Sequence, residues 1–239
     1  GVLVDGLPLG FLLPGGLAAF MRVPEDSADH FLVASMLTLL RWAALVLSLC
    51  LPAAFVAISM YHQEMLPVKL LLSMTAAKQY VPFGVATEVI AMLLSFELLQ
   101  EAGLRLPDPV GQTASIIGAL IVGQSAVEAK VVSPVAVIVV ALAGICGYVM
   151  PSRDLGAAVR LCRLLFVLAA VLLGFYGLMA ALALLILHLG CLESFGAPYT
   201  APFTDRLGPG GLTGLIKRPN RADKFRSPHL AGRNKRRQK

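Results

Sequence analysis

The run LLFVLAAVLLGFYGLMAALALLILHLG, residues 164–190, holds no charged side chain apart from the single titratable His188. A bilayer core of roughly 30 Å asks about 20 consecutive apolar residues of a helix. This run is longer, at ~1.5 Å per residue, so it should tilt or protrude. A second run, TLLRWAALVLSLCLPAAFVAISM at 38–60, has the same character. Arg41 and Trp42 stand near its start, where interface anchors belong, and Pro52 should kink it. Two further spans are expected at 109–127 and 132–150, separated by the short turn VEAKVVS.

Residues 66–104 are apolar but carry Lys69, Lys78, Glu88, Glu97 and Glu101. The YVPFG stretch should divide them into two helices. Glu97 and Glu101 are four apart and share a helical face. Glu88 lies nine residues before Glu97, about half a turn from that face. No single wet side results. The segment therefore reads as re-entrant or interfacial, packed within protein, with a full span at 82–100 as the alternative.

Composition supports this class. The chain is 57% hydrophobic and 14% charged, against about 25% charged for a soluble domain; its mean hydropathy is +0.78. The fold class expected is an all-α integral membrane protein. It has about four membrane-spanning helices, a re-entrant or interfacial helical segment, and a disordered basic C-terminal tail.

Three regions follow. Residues 1–37 read as the end of a truncated soluble cytoplasmic domain and a polar approach. GVLVDGL at 1–7 looks like one strand ending in an Asp-Gly turn, and Pro24, Glu25 and Asp26 suit the first turn of a helix. Residues 38–190 form the helical membrane domain. Residues 191–239 are a short segment followed by the tail, which from Asp205 onward holds 11 of the 20 Lys and Arg. Aromatic interleaving is missing there, so the expected contact is with anionic headgroups and not with nucleic acid.

The tail also sets orientation. Its charge density should hold the C-terminus in the cytoplasm, which puts Arg153, Arg160 and Arg163 outside or buried. Arg160 and Arg163 share a helical face, and Glu88, Glu97 and Glu101 are candidate partners for them. Headgroup contact alone is the alternative.

Within SIIGALIVGQSAVEAKVVSP, residues 115–134, two patterns coincide. Gly111, Ser115, Gly118 and Ser125 follow three- and four-residue steps, with Val122 completing the series, a small-residue stripe suited to close helix packing. Gln124 and Glu128, four apart, occupy another face that lipid would reject. Together with Glu88 and Glu97 they are the candidates for a polar membrane face or ion path. Snorkelling of Glu128 to the interface is the other reading.

No nucleophile–base constellation, P-loop, GxSxG or HExxH occurs, so an enzyme is not expected. The four cysteines form no CxxC pair, and no histidine has zinc-ligand spacing. No cofactor is implied.

The ordered segments VDGLP…PED, LPAAFVAIS, HQEMLP, VPFG…TEVIAMLLSFELLQEAGLRLP, GQTASIIGALIVGQSAVEA, VSPVAVIVVAL, RLCRLLFVLAAVLLGFYG and SFGAPYTAPF resemble the A subunit of spore germinant receptors. Stage V sporulation AF-type proteins share the pattern. The resemblance covers nearly all of residues 1–216. It implies a multi-pass protein of the endospore inner membrane that works with B- and C-type subunits and forms homo-oligomers. It also implies an ion-conducting path that opens when nutrients trigger germination. Lys130 departs from the family pattern, where Gly is common, as do Ser27-Ala28 and Arg153. A secondary transporter of a small solute or ion is the competing class, although no internal repeat is evident.

Overall fold

The structure is a computed structural model that describes residues 2–3, 10–11, 15–105, 118, 121–201, 203, 215 and 217. It is mostly helical. The exceptions are two short antiparallel ladders, β1 (Val2–Leu3) with β2 (Gly10–Phe11) and β3 (Glu193–Ser194) with β4 (Ala197–Pro198). Of the strand expected at 1–7, Val2–Leu3 is described and is a strand; the other positions lie outside the described residues. The expected disorder of the tail, and stripe positions Gly111 and Ser115, lie outside the described residues. The chain forms two compact units.

The first unit gathers Gly1–Ala43, Met150–Leu155 and Ala183–Lys239. A short helix α1 (Leu17–Phe20) leads to a 3-10 turn at Pro24–Ser27 and then to α2, Phe31–Tyr61. Pro24 opens the turn because its fixed φ suits a first helical position. The Asp26 carboxylate accepts the Val23 N–H at 3.0 Å and closes that turn. Arg41 then reaches back along α2. Its Nη1 and Nη2 meet the two Asp26 oxygens at 2.5 and 3.0 Å, and Nη1 also donates to the Met21 carbonyl at 3.2 Å. So Arg41 is held by Asp26 and the Met21 carbonyl. The guanidinium holds the Asp26 carboxyl below its ordinary range, against the opposing effect of burial.

After the last helix the chain comes back to this unit. Phe195 and Gly196 take φ of 51° and 76°, which makes a tight two-residue turn between β3 and β4. The following residues pack on the N-terminal segment. Leu17 donates its N–H to the Tyr199 carbonyl at 2.8 Å, and Trp42 meets Phe203 edge-on at 5.3 Å. Lys217 donates through Nζ to the Asp26 and Asp29 carbonyls at 2.5 and 3.2 Å.

The second unit holds Ala44–Val149 and Gly156–Leu182. It contains the rest of α2, then α3 (Val68–Lys78), α4 (Val85–Arg105), a helix α5 described over 121–128, and α6 (Pro134–Tyr148). The middle of α7 (Arg153–Cys191) completes it. The break expected at YVPFG falls between α3 and α4. Val56, Val89, Val140 and Val167 are fully buried and form the apolar centre. Ser48 on α2 donates to the Ala143 carbonyl on α6 at 3.0 Å.

Among the described residues two helices, α2 and α7, are long and apolar enough to cross a membrane by length and composition. α2 begins at Phe31, seven residues before the expected span. The span expected at 132–150 is a 15-residue helix, about 22 Å long and short of a roughly 30 Å core. Ser133 and Pro134 start it, as N-cap and first helical residue, and the chain before them is a turn. The run at 164–190 is also not one rod. Gly174 takes φ 61° and ψ −135°, which divides α7 into two helices. A side chain at Gly177 would begin 2.0 Å from the Ala169 carbonyl oxygen. The Val171 carbonyl, beside the break, accepts a 2.6 Å hydrogen bond from the Tyr61 hydroxyl.

Candidate functional site

Polar side chains in apolar helices are costly, so their settings identify what the fold keeps them for. The four candidates for one polar face occupy three separate settings. Glu88 lies in the first turn of α4 and is 1% exposed. One carboxylate oxygen accepts the N–H of Ser133, the N-cap of α6, whose own hydroxyl accepts the Ala136 N–H at 3.3 Å. The carboxylate thus meets the positive dipole end of α6 and ties α4 to it. Its other oxygen is buried with no hydrogen-bond partner among the described residues.

Glu97 is in a second setting, a cationic one. Arg160 and Arg163 on α7 reach its carboxylate at 3.2 and 3.9 Å. Arg160 also donates to Gln100 at 3.3 Å. Of the three expected partners for the arginine pair, Glu97 contacts both arginines. Glu101 lies on the exposed side of α4. Gln100 was not anticipated, although it stands three residues from Glu97 and so shares its face.

Gln124 and Glu128 form the third setting. Both are exposed on α5, and Gln124 Nε2 donates to Glu128 Oε1 at 3.1 Å. They share a face, as their spacing predicts. Two residues on, Lys130 places Nζ 4.1 Å from the Tyr80 ring centroid, so the lysine is held by an aromatic face. Of the stripe, Gly118 is close to α4: a side chain there would begin 3.1 Å from Leu99. Ser125 is exposed. Gly123, not among the stripe residues, is buried close to Val137 of α6. The four cysteines are free thiols, three of them half-buried and Cys191 exposed.

The described residues thus form a helical protein with two helices long and apolar enough to cross a membrane and with charged groups tied to one another inside the helical unit. Its family is the one described as Bacillus/Clostridium GerA spore germination protein, whose pattern matches residues 1–227, and the chain belongs to it. The chain is 38% identical to spore germination protein KA of Bacillus subtilis (strain 168) over 237 residues, covering 99% of this chain and 44% of that protein. It is 35% identical to spore germination protein GerLA of Bacillus cereus, covering 96% and 46%. It is 39% identical to the uncharacterized membrane protein YfkQ of Bacillus subtilis (strain 168), covering 83% and 39%. The chain therefore spans less than half the length of these relatives. No solved structure matches it.

Proposed function

We propose that this chain is a membrane subunit of a spore germination receptor that takes part in nutrient-triggered germination and ion release. The observation that carries the reading is family membership over residues 1–227, with relatives named as spore germination proteins. The subunit is non-enzymatic, multi-pass and resident in the endospore inner membrane, with its C-terminus in the cytoplasm. Its partners are B- and C-type subunits, further copies of itself and anionic lipid at the basic tail.

Within this reading Gln124 and Glu128 are the best candidates for the ion route. They are exposed, and Glu128 carries no cation partner among the described residues. Glu97 is already neutralised by arginine, and Glu88 is committed to α6. Glu128→Gln keeps volume and hydrogen bonding while it removes the charge. Spores carrying it should hold normal protein levels but release cations at an altered rate when nutrients are added. Normal levels with normal release would reject the route.

A secondary transporter is the second reading. The interruption of α7 at Gly174 favours it, because transporter sites are built on discontinuous helices. Nutrient-independent uptake of a solute by the chain alone would distinguish it.

A further inference from the structure

The arginine cluster on α7 is out of electrical balance. Two guanidinium groups, Arg160 and Arg163, face one carboxylate, that of Glu97. The imbalance is buried. The Arg163 side chain is 3% exposed and lies 3.9 Å from a carboxylate that is itself 41% exposed. Gln100, the further acceptor at Arg160, is neutral. Arginine cannot relieve the cost of burial by losing its proton. Another anion is what would restore balance.

The fold leaves room for one. A cavity of about 150 Å³ opens beside the cluster, lined by Glu97, Arg160 and Arg163 and walled by Leu93, Leu94, Leu161 and Leu164. That is many times the roughly 10–15 Å³ that admits a water. Guanidinium forks match the oxygens of phosphate and carboxylate groups in pairs of parallel hydrogen bonds. The leucine walls suit a ligand with an aliphatic body next to its charge.

We infer that this cavity binds a phosphate oxyanion, held by Arg160 and Arg163 between walls of leucine. Glu97 competes for the same two guanidinium groups. The phosphate comes from an anionic phospholipid headgroup or from a soluble phosphate, and the chemistry of capture is the same. This site is separate from the Gln124–Glu128 pair, and its test does not depend on ion release.

The test uses the full chain in neutral detergent, with thermal unfolding followed as ligand is added. The probes are phosphatidylglycerol, phosphatidylcholine and inorganic phosphate. Phosphatidylglycerol should raise the midpoint where phosphatidylcholine does not. A rise with inorganic phosphate as well assigns the soluble source, and a rise with the lipid alone assigns the headgroup. Arg160→Gln should weaken the binding by about tenfold, as loss of one charged hydrogen-bonding group does. Glu97→Gln should strengthen it, because it removes the competitor. A purely structural ion cluster gives the opposite sign for Glu97→Gln. Absence of any anion-dependent shift, unchanged affinity in Arg160→Gln, or weaker binding in Glu97→Gln would each overturn the site.

Discussion

Lys130 ends α5 in the left-handed region, at φ 57°. Its N–H reaches the Val127 carbonyl at 3.0 Å and the Val131 N–H reaches that of Ala126 at 2.9 Å, the paired bonds of a helix ending that favours glycine. A side chain in that conformation costs roughly 1–2 kcal/mol. The Tyr80 ring returns about 0.5–1 kcal/mol through the ammonium group. Lys130→Gly should therefore leave stability equal or up to about 1 kcal/mol higher, while Lys130→Ala should lower the thermal midpoint. Asp26 carries the opposite kind of commitment. Its carboxyl is depressed below 3.8 by Arg41. The stabilisation it gives is full above that ordinary value and is lost as pH falls through the lower folded one. Asp26→Asn should cost about 1–3 kcal/mol at neutral pH, between the exposed and buried limits for ion pairs. The variant should also lose less stability than the parent on acidification below pH ~4, as thermal melts in detergent would show. The spacing rule in the sequence found Gln124 with Glu128, and charge found Arg160 with Arg163. It could not choose Glu97 over Glu101, since that depends on the azimuth at which α4 meets α7.

The helices repeat this pattern at larger scale. The apolar runs located α2, α6 and α7 and the Pro-Phe-Gly break placed α3 and α4, because burial and backbone sterics act locally. Lengths were less legible. The break in α7 is written only as two glycines in GFYG, and neither is unusual in a membrane helix. Each has its own reason in the structure. Gly174 supplies the left-handed φ, and Gly177 allows the Ala169 carbonyl to come close. Gly177→Ala should force the break open or straighten the helix, because a backbone carbonyl cannot move aside cheaply. Spin labels at the two ends of α7 should report a changed separation, and a substitution at exposed Gly190 should not change it. The same distance in Gly177→Ala would count against a fixed break.

For the whole molecule, the contacts of the first unit constrain topology. The start of α2 lies beside the segment that follows α7, through Leu17 with Tyr199, Trp42 with Phe203, and Lys217 with Asp26 and Asp29. Residues that touch this way are on one side of a membrane. If the chain crosses a membrane, an even number of crossings between Phe31 and Lys217 is the expected arrangement. A cysteine placed at Glu25 and a reporter fused after Lys239 should both respond on the cytoplasmic side. Labelling of the two sites from opposite sides would contradict the arrangement. This return of the chain was not legible in the sequence, because pairing of distant segments leaves no local period. Positive charge in the tail indicated only which side the pair should occupy.

The hydrogen bond from Ser133 to Glu88 joins residues 45 apart in the chain, and this has a consequence in time. A ribosome adding about 5–20 residues per second reaches Ser133 roughly 2–9 s after it has made Glu88. Glu97 waits longer for Arg160 and Arg163. Through that interval α4 carries acidic groups whose partners do not yet exist. Packing of α4 against its partners is therefore a late event, completed only when α6 and the start of α7 have left the ribosome.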